Sequence, residues 1–379
     1  MTAESLILND FRNYKEQKFE FSDGVNVIFG LNAQGKTNII EALFLCAIGG
    51  SFRTSHTMEM VRRDAEAFSV ELSLKGDITD KIKYTCDKKN KKSIKVNGIY
   101  LKKIGELMGS CLAVLFSPED LQFVTEGPSL RRRFLDIGLS QQKPSYFYDL
   151  TQYNKILAQK MSLIKKVKYA NDGNISRDDQ VNFDLWNHQL AAAGSRVIFE
   201  RLCFLKKLQE EAGAKHAEFS AEKEDLALNY DSFLDENAEY TSAEEIFKPF
   251  ETKLNGTIKK EIEREACLTG PHRDDIIIKI NGMDLKKFGS QGQKRTAVLA
   301  VKMGELEIMK KDTGRTPILL LDDVLSELDQ TRQRILLSSS KNVQTFITCT
   351  DRKKVHISDV ECAYFNIKNG SLFAKSVTK

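Results

Sequence analysis

Apolar and polar positions along this chain repeat with one period at its two ends and another in its middle. Near the N-terminus, residues from Ser5 onward read as a short apolar strand, a polar turn and a second strand over Val25–Phe29. A glycine-containing loop and an apolar-rich helix over 36–45 follow. This succession is a βα unit. Residues 68–74, 82–86 and 93–96 alternate apolar with polar, the pattern of strands with one face on a core and one in water. Asn97-Gly98 is a hairpin turn signal, so an antiparallel sheet is expected here. Over 130–265 the period lengthens to that of amphipathic helices rich in Leu, Lys, Glu and Ala, with breaks expected near Pro144, Gly173, Gly213 and Pro249. Beyond it lie a strand pair around Asn281-Gly282, a helix over 291–310, and the all-apolar run Ile318–Leu321, which reads as a strand buried on both faces. Residues 344–350 and 363–367 complete the set as two further strands.

Both ends are sheet-forming and the middle is helical, so the pattern predicts one α/β head built from both termini around an insertion. With 379 residues, 41% apolar and 29% charged, the chain can bury a substantial core, and six prolines leave little room for a long disordered linker. Seven scattered cysteines without a CxxC pair indicate neither a disulfide framework nor a zinc site. No run of 18 apolar residues occurs, and the first residues do not have the basic-then-apolar form of a signal peptide. A cytoplasmic, non-membrane protein is expected. The net charge of +4 does not by itself announce a nucleic-acid partner.

Candidate chemistry begins at Gly30-Leu31-Asn32-Ala33-Gln34-Gly35-Lys36-Thr37, which matches GxxxxGK[ST] between a strand and a helix. The two glycines let backbone amides wrap phosphate oxygens, the new helix adds its positive end, Lys36 reaches the outer phosphates, and the Thr37 hydroxyl can ligate Mg²⁺. A metal-bound nucleotide also needs an acidic site, and Asp322-Asp323 at the end of the buried strand supplies it. Asp322 is the candidate to hold Mg²⁺ through water. Asp323 is the candidate to orient or deprotonate the attacking water. About 285 residues separate the two motifs, so a large segment is inserted between them.

The string Phe288-Gly289-Ser290-Gln291-Gly292-Gln293-Lys294-Arg295 opens a helix, and Ser326-Glu327-Leu328-Asp329 follows the acidic pair. These resemble the signature and D-loop of ABC-type ATPases. Together with Asp10-Phe11-Arg12-Asn13-Tyr14, Gly50-Ser51-Phe52-Arg53-Thr54, Phe116-Ser117-Pro118-Glu119-Asp120-Leu121 and Thr269-Gly270-Pro271-His272-Arg273-Asp274-Asp275, they are similar to the RecF family, relatives of the SMC and Rad50 heads. The resemblance implies an ABC-type ATPase head, a phosphate-loop α/β unit with an antiparallel sheet, over 1–125 and 267–379. A mainly helical second domain would be inserted over 126–266. It places Arg12 at the nucleotide. Ser290, Gln291, Gly292 and Gln293 would complete the site of a second copy across an ATP-dependent homodimer, with Ser326 and Asp329 in the D-loop. It further implies weak, DNA-stimulated ATP hydrolysis with Mg²⁺, binding to double-stranded DNA and single-strand/double-strand junctions, recombinase loading at gaps with RecR and RecO, and a link to the SOS response. The chain departs from the ABC pattern in four places. No glutamine stands out in the stretch FSPEDL, Gln291 replaces a signature glycine, Asp323 replaces the usual glutamate, and the switch histidine is missing from the strand ending at Thr350-Asp351.

Basic clusters occur at Arg62-Arg63, Lys88 to Lys92, Arg131 to Arg133, Lys165 to Lys168 and Lys353-Lys354. Most such runs are solvated faces. Lys88, Lys89, Lys91 and Lys92, beside the hairpin, are the candidates for phosphate-directed DNA contact. Arg131 to Arg133 have an alternative in pairing with Glu126 and Asp136. His272 and Arg273 read equally as nucleotide-responsive or as packing residues. An SMC or Rad50 head would need longer helical arms, and a transporter subunit would keep LSGGQ. A non-catalytic clamp, in which ATP only gates dimerisation, stands as the alternative of a different class.

Overall fold

The computed structural model describes residues 1–76, 79–170, 173–235, 238–352 and 361–378; the Lys353-Lys354 cluster lies outside them. Strand β1 (Thr2–Phe11) turns into β2 (Tyr14–Glu20), and β3 (Val25–Phe29) leads through the glycine loop into α1 (Lys36–Ile48). The strands β4 (Ala67–Lys75), β5 (Lys81–Asp87), β6 (Lys92–Val96) and β7 (Ile99–Tyr100) join the first two in a sheet of order β2-β1-β4-β5-β6-β7, antiparallel throughout. Asn97 and Gly98, both at positive φ, make the β6–β7 turn, as their sequence predicts. Inward residues such as Leu6, Val70, Leu72 and Ile82 share a core with the α1 residues Ile39, Leu43 and Ala47. The sequence of β2, YKEQKFE, is too polar to read as a strand; its pairing with β1 decides its conformation.

Next come β8 (Ala113–Phe116), α2 (Gln122–Thr125), α3 (Pro128–Gln142), α4 (Pro144–Ala170) and the 44-residue α5 (Arg177–Ser220). They are followed by β9 (Leu226–Asp231), α6 (Ala243–Arg264), β10 (Asp275–Ile280), β11 (Met283–Asp284), α7 (Leu285–Phe288) and α8 (Gln291–Thr313). The chain ends with β12 (Ile318–Leu321), α9 (Gln330–Ser339), β13 (Thr345–Cys349), β14 (Cys362–Lys368) and β15 (Ser371–Thr378). A second sheet has the order β15-β14-β3-β13-β12-β8, parallel except for β14–β15. Its register sets the site: on β13, Cys349 lies opposite Phe29 and Ile347 opposite Leu321. The carboxyl ends of β3 and β12 therefore flank Thr348, at the edge where parallel sheets bind ligands.

Pro144 opens α4 and Gly173 lies between α4 and α5, where breaks are expected. Gly213 and Pro249 do not break anything: each lies inside a continuous helix, α5 and α6 respectively. An interior glycine costs only about 1 kcal/mol, and α5 offsets this by packing against α8 so closely that a Cβ on Gly304 would sit 2.9 Å from the Ala212 backbone. Helix α6 retains its course past Pro249 because Ile246, Phe250, Leu254, Ile258 and Ile262 hold one buried face. The middle block also contains a strand that its helical period hides, since β9 pairs with β10 along six residues.

Between α4 and α6 lies an ion pair of Lys160 and Glu261, 2.7 Å apart and with both side chains fully buried. Glu261 also accepts the Leu268 amide at 2.9 Å. Removing one partner strands the other charge, which costs about 3–5 kcal/mol, while neutralising both is far milder. Lys160→Met is expected to destabilise this helical region by that amount, and the double substitution Lys160→Met/Glu261→Gln to recover most of it. The measurement is urea unfolding followed through Trp186, the single tryptophan, which packs on Leu163, Ile258 and their neighbours.

Candidate functional site

The phosphate loop passes three times through left-handed backbone, twice at glycine and once at an alanine, where it is uncommon. Gly30, Ala33 and Gly35 have φ of 151°, 62° and 112°. A side chain at Gly30 would meet the Ile367 carbonyl at 2.4 Å, so that glycine is required by space as well as by φ; at Gly35 the nearest atom is the end of the Asn13 side chain at 2.7 Å, and φ is what demands glycine. The loop is clamped from outside. Asn13 Nδ2 and the Gly370 amide both donate to the Gln34 carbonyl at 3.0 Å, the Tyr14 hydroxyl donates to the Gly35 carbonyl, and the Asn369 amide donates to Gln34 Oε1. Helix α1 begins at Lys36 with no side-chain cap, which leaves its first amides for an anion. Lys36 Nζ folds back to donate to the Gly30 and Leu31 carbonyls at 2.9 and 2.8 Å. Burial pushes its ammonium below the usual lysine range, partly opposed by the Asp323 charge. Asn32 and Leu31 are solvent-exposed at the loop's crest.

The acidic pair reaches the loop through two threonines. Asp322 Oδ1 accepts from Thr37 Oγ1 at 2.9 Å and from Thr348 Oγ1 at 2.7 Å, and Thr348 Oγ1 accepts the Asp323 amide at 2.8 Å. Thr348 went unnoticed in the sequence; its only signal there is a hydroxyl inside a fully buried strand. Burial raises the Asp322 carboxyl above its ordinary value, and the Glu119 and Asp323 charges add to this. A buried carboxylate with no cationic side chain bonded to it among the described residues, beside a threonine hydroxyl, is a hard-oxygen donor set that fits a divalent cation completed by phosphate oxygens. Among the described residues no cluster of three His, Cys, Asp or Glu side chains offers an alternative cage. Asp323 sits at φ 52°, an uncommon conformation for aspartate, and its carbonyl accepts from Ser326 Oγ at 2.7 Å.

Arg12 pairs with Glu41 of α1 at 2.6 Å and donates to the Glu59 carbonyl. Glu41, fully buried and overlooked in the sequence, also accepts from Ser51 and Arg53, so the strings at 10–14 and 50–54 meet on one carboxylate of α1 itself. The signature residues stand apart. Ser290 caps α8 in a reciprocal box with Gln293, whose amide also donates to Glu224 at 2.9 Å. Gln291 and Gly292 are exposed, and a Cβ on Gly292 would meet nothing closer than Ser290 Oγ at 3.9 Å. Among the described residues, no hydrogen bond joins 290–293 to the phosphate loop or to Asp322. Asp329 caps α9 through the Arg332 amide, and Arg295 pairs with Glu327, linking the signature helix to the D-loop segment.

Lys88, Lys89, Lys91 and Lys92 are exposed at the β5–β6 turn, with Lys88 near Glu66 at 3.3 Å. The arginine run does not pair with Glu126 and Asp136. Arg131 grips Asp275 with two bonds of 2.6 and 2.8 Å, Arg132 donates to the Asp274 carbonyl and Arg133 to the Ser51 carbonyl. Asp136 is instead engaged by Arg201 and the Tyr146 hydroxyl, and Arg131 meets Glu126 only at its carbonyl. His272 packs against Tyr153, hydroxyl to Nδ1 2.6 Å, and burial pushes it down to about 4.

Lys302 of α8 pairs with Asp120 at 3.2 Å and faces Glu305 at 3.9 Å, tying the signature helix to the 117–121 turn whose Glu119 charge is felt by Asp322. Burial raises the Glu305 carboxyl to about 7 from an ordinary 4.5. Between those values the folded protein holds a proton that the unfolded chain has released, so this group makes stability fall as pH rises through the window. Glu305→Gln is expected to be nearly neutral at pH 5 and stabilising by about 2–3 kcal/mol at pH 8, measured by denaturant titration at both values.

A sequence model of the RecF/RecN/SMC N terminal domain matches residues 2–371. The chain is 47% identical over 356 residues to the DNA replication and repair protein RecF of Acetivibrio thermocellus, covering 93% of this chain and 94% of the relative. It is 42% identical to that of Ruminiclostridium cellulolyticum, covering 98% and 99%. Two solved structures of the recombination mediator protein RecF, described as RecF-ATPrS and RecF-ATP in the RecFOR pathway, superpose with TM-scores of 0.89. They share 39% and 38% identity and cover 98% and 100% of this chain and 97% of theirs. An Smc head bound to the C-winged helix domain of ScpA, 15% identical with a TM-score of 0.55, covers 100% of this chain and 97% of its own, and shares the fold alone. The head is thus the mixed α/β ATPase fold of that superfamily, and the chain belongs to the RecF family within the RecF/RecN/SMC group.

Proposed function

We propose that this chain binds ATP with Mg²⁺, dimerises through it on DNA at gaps or single-strand/double-strand junctions, and hydrolyses it slowly to release the DNA. The observation that carries this reading is the divided site. Loop, acidic pair and threonine bridge are assembled in one place, while Ser290, Gln291 and Gly292 are exposed and bonded to none of them. Solved RecF relatives with ATP support the nucleotide, and their description as recombination mediators in the RecFOR pathway supports a role in recombination beside RecR and RecO; recombinase loading at gaps and a link to the SOS response are part of the same proposal.

In this reading the loop amides and the α1 N-terminus hold the phosphates, and Lys36 exchanges its two carbonyl acceptors for phosphate oxygens. Thr37 and Asp322 would hold Mg²⁺, which supplies charge neutralisation on the phosphates. Asp323 orients the attacking water and accepts its proton. Across the dimer, the Ser290 hydroxyl and the open backbone at Gly292 donate to the γ-phosphate held by the other copy, with Ser326 and Asp329 beside it. Losing that phosphate removes the grip, so dimerisation is linked to nucleotide state by mass action. The threonine-braced Asp322-Asp323 pair favours a hydrolytic cycle over a clamp in which turnover is incidental.

Sedimentation with Mg²⁺-ATP, with and without a gapped duplex, tests the mechanism. The wild type is expected to shift from monomer to dimer, more so with DNA. Asp323→Asn should stay dimeric with ATP while turnover falls, Ser290→Arg should bind ATP but remain monomeric, and Lys36→Met should lose the nucleotide. A monomer under all conditions with ATP bound would sink the dimeric reading. The DNA contacts have their own test. Replacing Lys88, Lys89, Lys91 and Lys92 by glutamine should weaken duplex binding regardless of sequence and flatten its salt dependence by about 0.9 in log–log slope for each phosphate no longer neutralised; an unchanged slope would move the DNA path elsewhere.

A further inference from the structure

A cavity of about 450 Å³ opens where α1 ends and α3, α4 and α5 converge, and no residue of the phosphate loop, the acidic pair or the signature lines it. Its volume suits an organic ligand of nucleotide size. The wall is divided chemically. Ile137, Phe147, Leu150 and Met108 form an apolar side, while Arg132, Arg133 and Arg201 bring three guanidinium groups to the other. Their charge is poorly compensated. Asp136, the carboxylate lining the cavity, is already engaged by Arg201 at 2.8 Å and by the Tyr146 hydroxyl. Among the described residues, neither Arg132 nor Arg133 has an ion pair; their bonds go to the neutral carbonyls of Asp274 and Ser51. Asp274, behind Arg132, keeps its proton up to about 7 through burial and therefore offers only partial negative charge. Desolvation and the neighbouring Arg201 push the Arg132 guanidinium below its ordinary value, and the charges of Asp275, Asp274 and Asp136 oppose this only in part.

We propose that this cavity is a second anion site, distinct from the ATP loop, that takes a nucleoside phosphomonoester with its phosphate between Arg132 and Arg133 and its organic part against Phe147. Two arginines whose hydrogen bonds, among the described residues, go to carbonyls rather than to carboxylates suit a dianionic phosphate, to which they form charge-assisted bonds. The same chemistry is presented by a free nucleoside monophosphate and by the 5′-phosphorylated end of a DNA strand. Occupancy would reach the ATP site through a short relay, because Arg133 donates to the Ser51 carbonyl and the Ser51 hydroxyl to Glu41 on α1.

The test uses the full chain carrying Lys36→Met, so that the ATP loop is silent, and calorimetric titration with dAMP and with duplexes whose 5′ ends are either phosphorylated or hydroxyl. Arg132→Gln and Arg133→Gln, each made in that background, should weaken binding about tenfold or more, as expected when a charge-assisted bond is removed. Asn154→Glu, which adds a carboxylate at the exposed mouth of the cavity, should do the same. Lys248→Gln, on the surface of α6, should not. Preference for the phosphorylated end identifies a DNA terminus as the source; dAMP binding without that preference identifies a free nucleotide. No binding by either probe overturns the proposal, as does binding that survives Arg133→Gln and Asn154→Glu, or that disappears only in Arg132→Gln, where breaking the bond to Asp274 would have disturbed the fold.

Discussion

The bridge from Thr37 through Asp322 to Thr348 is the interaction on which the site depends. It joins the start of α1 and the carboxyl ends of β12 and β13, so two motifs about 285 residues apart become one donor set only when the parallel order β3-β13-β12 is complete. A carboxylate this deeply buried is costly to ionise, and two hydroxyl donors offset only part of the lost hydration. The remaining deficit favours a cation at that position. The folded protein thus carries an unsatisfied electrostatic demand at Asp322.

The same reasoning explains why the helical insertion cannot be treated as a free appendage. Helix α5 contributes Val197, Phe204 and Leu208 to the core that holds β12 and α8, and β9 extends β10 of the C-terminal part. Arg131 on α3 grips Asp275 on β10, and Lys302 on α8 grips Asp120 beside the turn that approaches Asp322. Each contact is partly or wholly buried, where charge pairs are geometrically demanding and poorly replaced by water. A change in how the signature helix sits therefore has a short physical route to the acidic pair.

Clamping of the phosphate loop illustrates how remote segments finish local chemistry. The glycine pattern alone allows the backbone to turn, but Asn13, Tyr14 and the 369–370 turn hold its carbonyls from outside. Glu41 does the same for Arg12, Ser51 and Arg53, gathering two sequence strings whose roles are opaque when read separately. Such clamping holds the loop backbone in one shape and leaves the Lys36 side chain, bonded to two loop carbonyls, as the part free to exchange partners.

By itself the sequence determined what depends on neighbours in the chain. The phosphate loop, the helix that follows it, the Asn97-Gly98 turn, the buried run at Ile318–Leu321 and the Ser290 cap all follow from local spacing and backbone preference. Tertiary structure decided the rest, because those outcomes depend on partners distant in sequence. It made a strand of the polar β2, carried α5 and α6 through Gly213 and Pro249 by packing, and drew Arg131 to Asp275 rather than to its helical neighbours. It also selected Thr348 and Glu41, two residues without a motif, to hold the Asp322 carboxylate and the arginines of the 10–14 and 50–54 strings in place. Hydrogen-bond geometry and burial are properties of the assembled sheet order, and no local period encodes them.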